Sequence, residues 1–139
     1  MRKTYTTKKT DIVVGWHQLD AKGRVLGKIA SEASKLLIGK HKPIYTPTMN
    51  VGDKVVIVNS DELDVSSKKL KDKLYHRYTG YPGGIKTQSL EKLMKKNSTE
   101  VIRKAIAGML PRNKLHKQRM ANLYIYKGSE HPHGGQIKG

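Results

Sequence analysis

The sequence has no cysteine, which removes disulfides, thiolate metal sites and cysteine nucleophiles at once. Acidic residues are scarce, 11 Asp and Glu against 28 Lys and Arg in 139 residues. Apolar residues make up 36% of the chain, below the usual globular share, so the core is expected to be lean. No apolar run approaches the roughly 20 residues that cross a bilayer, so no membrane is expected as a partner through a spanning segment. The basic stretch MRKTYTTKKTDIVV holds no apolar segment of signal-peptide length before Gly15, and nothing in it suggests export. Enzyme signatures are missing too. G-x-G-x-x-G, G-x-x-x-x-G-K-[ST] and H-E-x-x-H do not occur, and neither a catalytic role nor a small-molecule substrate nor a cofactor is expected.

What is present is positive charge, a formal net of +17. On so small a body it brings self-repulsion, which a polyanion relieves while releasing its own counterions. The excess is uneven. Residues 1–65 carry 11 basic and 7 acidic groups, and residues 66–139 carry 17 and 4. That asymmetry points to a nucleic-acid or anionic-membrane face rather than a merely well-solvated surface, which needs far less charge of one sign.

The length suggests one domain. Residues 1–11 read as a basic arm. Val13, Val14, Trp16 and Leu19 suggest a first strand ending near Asp20. From Arg24 to Ile38 apolar residues recur at three- and four-residue spacing (Val25, Leu26, Ile29, Ala30, Ala33, Leu36, Leu37), giving a helix with one apolar face that stops at Gly39. Lys54–Asn59 is a β-branched run suited to a strand buried on both faces. Strand, helix and buried strand imply a right-handed βαβ unit, and so an α/β fold with a parallel sheet. Leu63–Val65 can begin another short strand. Residues 66–88 read as irregular and basic, with a turn at Pro82-Gly83-Gly84. Ser89–Lys96 looks like a short helix. A second helix opens with Asn97 and Glu100 as a capping box, turns Val101, Ile102, Ala105, Ile106, Met109 and Leu110 inward, and ends at Pro111. Residues 112–121 are basic and compatible with helix, Leu123–Tyr126 alternates like a strand, and residues 128–139 form a tail loop.

The candidate sites are basic clusters. One is Lys68, Lys69, Lys71 and Lys73, continuing into His76, Arg77 and Tyr78. Another runs through Arg103, Lys104, Arg112, Lys114, Lys117 and Arg119. The arm adds Arg2, Lys3, Lys8 and Lys9, and the segment after the first helix adds Lys40 and Lys42. Such side chains pair with phosphates, arginine through a bidentate fork. Tyr75, Tyr78 and Tyr81 interleave with the first cluster, and aromatic rings beside cations can stack on unpaired bases; ordinary half-buried packing competes with that role for at least one of them. His131 and His133 could supply two metal ligands, but no cysteine and only Glu130 stand nearby. A hydrogen-bonding or phosphate-facing loop is the better reading, and no metal site is expected. Asp20, Asp53 and Asp61 could be imagined as a catalytic set, yet each sits where a turn favours aspartate.

Several segments together resemble one family. Trp16…Leu19-Asp20-Ala21 leads into Leu26-Gly27-Lys28-Ile29-Ala30-Ser31. Leu37…Gly39-Lys40, Tyr45-Thr46-Pro47 and Gly52-Asp53…Val55…Ile57-Val58-Asn59 follow. The middle holds Lys68-Lys69…Lys73…Tyr75 and Tyr78-Thr79-Gly80-Tyr81-Pro82-Gly83-Gly84, and the end holds Met109-Leu110-Pro111 and His131-Pro132-His133…Gln136. In order and spacing the chain resembles the bacterial large-subunit ribosomal protein thirteen (universal L-thirteen) family. The resemblance implies a three-layer α/β/α fold with a small, mostly parallel sheet and basic loop extensions. It also implies a structural role in the large ribosomal subunit of the cytoplasm. Ribosomal RNA and neighbouring ribosomal proteins would be the partners, with a part in early assembly and no catalysis. The basic segments 66–88 and 112–121 would be the main RNA face. A free-standing regulatory RNA- or DNA-binding module is the alternative from composition alone. A small phosphate-handling enzyme is a further one, but it lacks a phosphate loop.

Overall fold

Each regular element answers to a local pattern. In the computed structural model, which describes residues 3–137, strand β1 runs Trp16–Asp20 and helix α1 runs Leu26–Ile38. The buried positions of α1, among them Leu26, Ile29, Ala30, Ala33 and Leu37, trace the spacing of one helical face. Gly39 closes it at φ 89°, its N–H donating to the Lys35 carbonyl at 3.0 Å. Glycine reaches that left-handed conformation without the Cβ penalty.

Strand β2, Lys54–Val58, is buried from Val55 through Val58. It is central. It pairs in parallel with β1, Trp16 opposite Lys54, and with β5, Leu123–Ile125, Val55 opposite Leu123. The doubly buried strand and the βαβ unit expected from the sequence are both present, and the domain is α/β with a small parallel sheet.

The second half begins with helix α2, Ser67–Asp72, whose Ser66 hydroxyl accepts from the Lys69 N–H at 3.4 Å. Strands β3, Leu74–Tyr78, and β4, Ile85–Ser89, form an antiparallel hairpin. Helix α3, Leu90–Met109, follows, and short helix α4, His116–Ala121, precedes β5. A kink at Asn97 (φ −159°, ψ 97°) divides α3 where the sequence predicts one helix to end and another to open. The Asn97 side-chain oxygen accepts from the N–H and hydroxyl of Thr99, at 3.2 and 2.6 Å, so Thr99 partners it where Glu100 was expected.

Four expectations change. Residues 66–88 are not irregular: α2 and the hairpin occupy most of them. Alternation along β3 was hard to read because neither face of the strand is fully buried. The arm is partly tied down, for Thr7 is buried and its hydroxyl donates to the Ile44 carbonyl at 2.6 Å. Val13 and Val14 are exposed and precede β1. Leu63–Val65 makes only an isolated bridge, Asp64 to Val25.

One apolar cluster joins the elements. Leu19 of β1, Ile29 and Leu37 of α1, Val55 and Ile57 of β2, Leu93, Ile102 and Ile106 of α3 and Leu123 of β5 all belong to it. By register Trp16, Val56 and Tyr124 turn to the other sheet face. There the Trp16 ring stacks on Tyr124 and on His133 of the tail, at centroid distances of 5.6 and 5.1 Å.

Ile29 and Ile106 are fully buried in the cluster. Replacing either by alanine should lower unfolding stability by about 2–5 kcal/mol. At Gly52 an added Cβ would lie 1.7 Å from the Leu37 carbonyl oxygen. Gly52→Ala should therefore force the backbone apart where the chain entering β2 passes the end of α1, and cost about 1–3 kcal/mol. Denaturant titration checks all three; a wild-type midpoint for any of them would contradict this packing.

Candidate nucleic-acid interface

Helix α2 is too short to bury much. Its lysines point outward: Lys68, Lys69, Lys71 and the capping Lys73 are all exposed. The hairpin that follows is exposed along most of its length and carries Arg77, Lys86, Tyr78 and, at its turn, Tyr81 outward. An isolated two-stranded hairpin is marginal, and this one is fastened at its base. Tyr75 is half-buried against the core cluster. The ammonium groups of Lys104 and Lys73 stand over its ring, 4.9 and 5.6 Å from the centroid. Burial raises the Tyr75 hydroxyl above its ordinary pKa. The packing reading thus holds for Tyr75, while Tyr78 and Tyr81 remain free-standing aromatic surface.

Two depressions adjoin at this place. A cleft of about 570 Å³ is walled by Val25, Leu26, Val65 and Met109 and rimmed by Lys69, Lys73 and Lys104. A more open one of about 590 Å³ shares Lys104 and Gly108 and adds Arg112 and His116. The two basic clusters, 68–77 and 103–117, therefore meet on one continuous surface around Lys104. Among the described residues between 66 and 121, Lys95 is the one cation held in an ion pair, with Glu91 at 3.3 Å.

The remaining candidates divide. Lys3, Lys8, Lys9, Lys40, Lys114 and Lys117 are exposed, as is His76, whose ring bonds Thr87 at 3.1 Å. Arg2 lies outside the described residues. Two placements correct the sequence reading. The Lys42 ammonium lies 2.6 Å from Asp53 Oδ1 and donates to the carbonyls of Val13 and Val51 at 2.7 and 2.8 Å. These use all three of its donors and leave none for a phosphate. Arg119 is 1% exposed, on the inward side of α4, and its Nε has no partner. A guanidinium so enclosed does not present itself to a phosphate on the surface. His131 and His133 are half-buried in the aromatic group. His133 Nε2 shares a hydrogen bond with the Tyr126 hydroxyl at 2.7 Å, and the His131 ring lies 3.3 Å from Gln18 Oε1.

Sequence reasoning missed Lys86, which sat in a segment read as irregular, and the centre built on Asp53. That carboxylate is buried. Oδ1 accepts from Lys42 and from the Gly15 N–H at 2.9 Å, and Oδ2 lies 2.6 Å from His17 Nε2 and 2.9 Å from His41 Nε2. Burial alone would raise the Asp53 carboxyl; the hydrogen bonds from Lys42, Gly15, His17 and His41 outweigh it and hold it far below the usual carboxylate range. The imagined catalytic trio does not assemble. Asp20 accepts from the Lys22 N–H and from Asn59, and Asp61 accepts from the Ser98 hydroxyl.

Fold and surface are those of a small basic α/β protein with a surplus of cations that its own carboxylates do not neutralise. The sequence matches the model of ribosomal protein L13 over residues 15–132, and the chain belongs to that family. It is 48% identical over 133 residues to large ribosomal subunit protein uL13 of Dehalococcoides mccartyi, covering 96% of this chain and 93% of that one. It is 50% identical over 121 residues to the uL13 of Solibacter usitatus, covering 87% and 85%. With that of Geobacter sulfurreducens it shares 46% over 136 residues, covering 98% and 95%. Membership makes the chain a ribosomal protein, a structural component rather than an enzyme.

The Asp53 centre yields a pH-dependent prediction. Asp53→Asn keeps the shape but leaves Lys42 without a counter-charge, which should cost roughly 3 kcal/mol at neutral pH. The folded carboxyl titrates below its unfolded value, so its contribution is present above about pH 4 and lost as the pH falls further. Unfolding free energies of wild type and variant should therefore converge in acid. A gap that stays constant from neutral to strongly acid pH would contradict the assignment.

Proposed function

We propose that the chain binds ribosomal RNA within the large subunit through the surface formed by α2, the β3–β4 hairpin, the outer side of α3 and residues 112–117. The observation that carries this reading is the meeting of Lys69, Lys73, Lys104 and Arg112 around two adjoining depressions, with one ion pair among the described residues of that region. A cation without a protein partner, beside others of the same sign, is stabilised by a polyanion. Phosphates accept several charge-assisted hydrogen bonds at once, and Tyr78 and Tyr81 add exposed rings on which unpaired bases stack. The contacts we assign are Lys68, Lys69, Lys71, Lys73, Arg77, Tyr78, Arg112, Lys114 and Lys117, to which the structure adds Lys86 and Lys104 as exposed cations of the same surface. His76 lies beside them on β3, while Lys40, in the loop after α1, and Lys3, Lys8 and Lys9 of the N-terminal segment are further contacts away from this surface.

Neutralising phosphates also lets RNA segments approach one another. That supports a part in early subunit assembly, beside neighbouring ribosomal proteins in the cytoplasm where ribosomes are built. The apolar core contributes differently, since it fixes the spacing of the cations and touches no RNA.

Replacing Lys68, Lys69 and Lys71 together by alanine, and keeping Lys73 over the Tyr75 ring, should release the protein from large subunits at a lower salt concentration than wild type. Its thermal stability should change by no more than about 0.5 kcal/mol per site, as for exposed positions generally. With about 6–10 phosphate contacts, wild-type affinity for RNA should fall roughly a thousandfold or more between about 50 and 200 mM salt. Sedimentation of subunits washed in stepped salt measures both effects. Retention that ignores salt, or a variant retained like wild type, would contradict the proposal.

A further inference from the structure

Three segments distant in sequence converge at Asp53: the start of β1 brings His17, the loop after α1 brings His41, and the entry to β2 brings Asp53 itself. His17 Nε2, His41 Nε2 and an Asp53 carboxylate oxygen all lie within 4.8 Å of one another. Both imidazole nitrogens address the same atom, Oδ2, at 2.6 and 2.9 Å. We propose that these three residues form a binding site for a divalent transition cation of the zinc class. The ligands are His17 Nε2, His41 Nε2 and Asp53 Oδ2, with water in the remaining position.

The donor set selects the metal. Two imidazoles and one carboxylate suit zinc and its neighbours, whereas magnesium and calcium favour oxygen ligands throughout. Zinc holds nitrogen and oxygen ligands at about 2.0–2.2 Å in tetrahedral geometry. Neighbouring ligand atoms around such an ion stand about 3.3 Å apart, so each histidine nitrogen backs away from Oδ2 by less than an ångström while the two nitrogens, within 4.8 Å of one another, close on the ion. Both side chains retain about a third of their exposure, 36% and 34%, which supplies an entry path and room for the water.

The chemistry balances without net proton release. A neutral histidine that donates from Nε2 moves its proton to Nδ1 and offers the Nε2 lone pair to the ion. The other carboxylate oxygen is taken, since Oδ1 serves Lys42 and the Gly15 N–H, so coordination is through Oδ2 alone. The nearby ammonium opposes a dication, so the site binds more weakly than a structural zinc finger. Its occupation would clip the loop carrying Lys40 to the edge strand β1.

The test is zinc titration of the full-length protein after chelator treatment, by calorimetry at neutral pH. One Zn²⁺ per chain and a raised thermal midpoint are expected. Cobalt(II) in its place should give the visible absorption of a tetrahedral centre. The double variant with His17→Gln and His41→Gln keeps amides able to donate to Asp53 but removes both metal ligands. It should lose at least about tenfold in zinc affinity, with an unchanged metal-free midpoint. No saturable uptake by wild type would overturn the proposal. So would uptake that survives in the double variant, which would place the ion at other histidines. Imidazole nitrogen chemical shifts of the wild-type protein give a reading that needs no variant. Zinc should move those of His17 and His41, and movement confined to His76, His116, His131 or His133 would refute the site.

Discussion

The surplus of cations between residues 66 and 121 is the constraint around which the molecule is arranged. Like charges at close range repel, and within the described residues one ion pair, Lys95 with Glu91, relieves them. A chain this basic holds its shape because the repelling groups are carried outside a core that is apolar and continuous. The division is visible within single elements. Helix α3 turns Leu93, Val101, Ile102 and Ile106 to the cluster and Lys92, Arg103 and Lys104 to solvent. The hairpin buries little, so it is fixed through Tyr75, wedged between the core and two ammonium groups.

A second kind of organisation is polar and lies in the first half of the sequence. Asp53 gathers the backbone ahead of β1, the loop after α1 and the entry to β2 on one buried carboxylate. Nothing apolar could hold three irregular segments so specifically, because dispersion has no direction and a hydrogen bond does. The same centre withdraws Lys42 from the external surface. Arg119 is withdrawn by packing alone. In a family of ribosomal proteins, a count of basic residues therefore overstates the number free to meet phosphate, and the folded structure says which ones are spent internally.

What the sequence disclosed, and what it hid, follows from the range of the interactions involved. Helix α1, strand β2 and the break at Asn97 were legible because each depends on neighbours within a turn or two: apolar spacing, β-branching, a capping side chain. The hairpin was not, since its strands are stabilised by pairing with each other and by Tyr75 rather than by an alternating apolar face. His17 and His41 carried no signal at all. They lie 36 and 12 positions from Asp53, and only the βαβ geometry brings them together. Arg119 misled because a basic residue in a basic run reads as surface, although its place on the inward side of α4 encloses it. The order of short segments from Trp16 to Gln136 pointed to the family without any of this detail.

The most direct measurement of the cation surface is lysine reactivity, read by mass spectrometry, in assembled large subunits and in the released protein. Lys68, Lys69, Lys71, Lys73, Lys86, Lys104 and Lys114 should react readily in the free chain and become protected in the subunit. Lys42, occupied by Asp53, should be slow in both. Equal labelling of the 66–117 lysines in the two states, with protection confined to lysines of α1 and its flanks, would contradict an RNA-facing surface built on them.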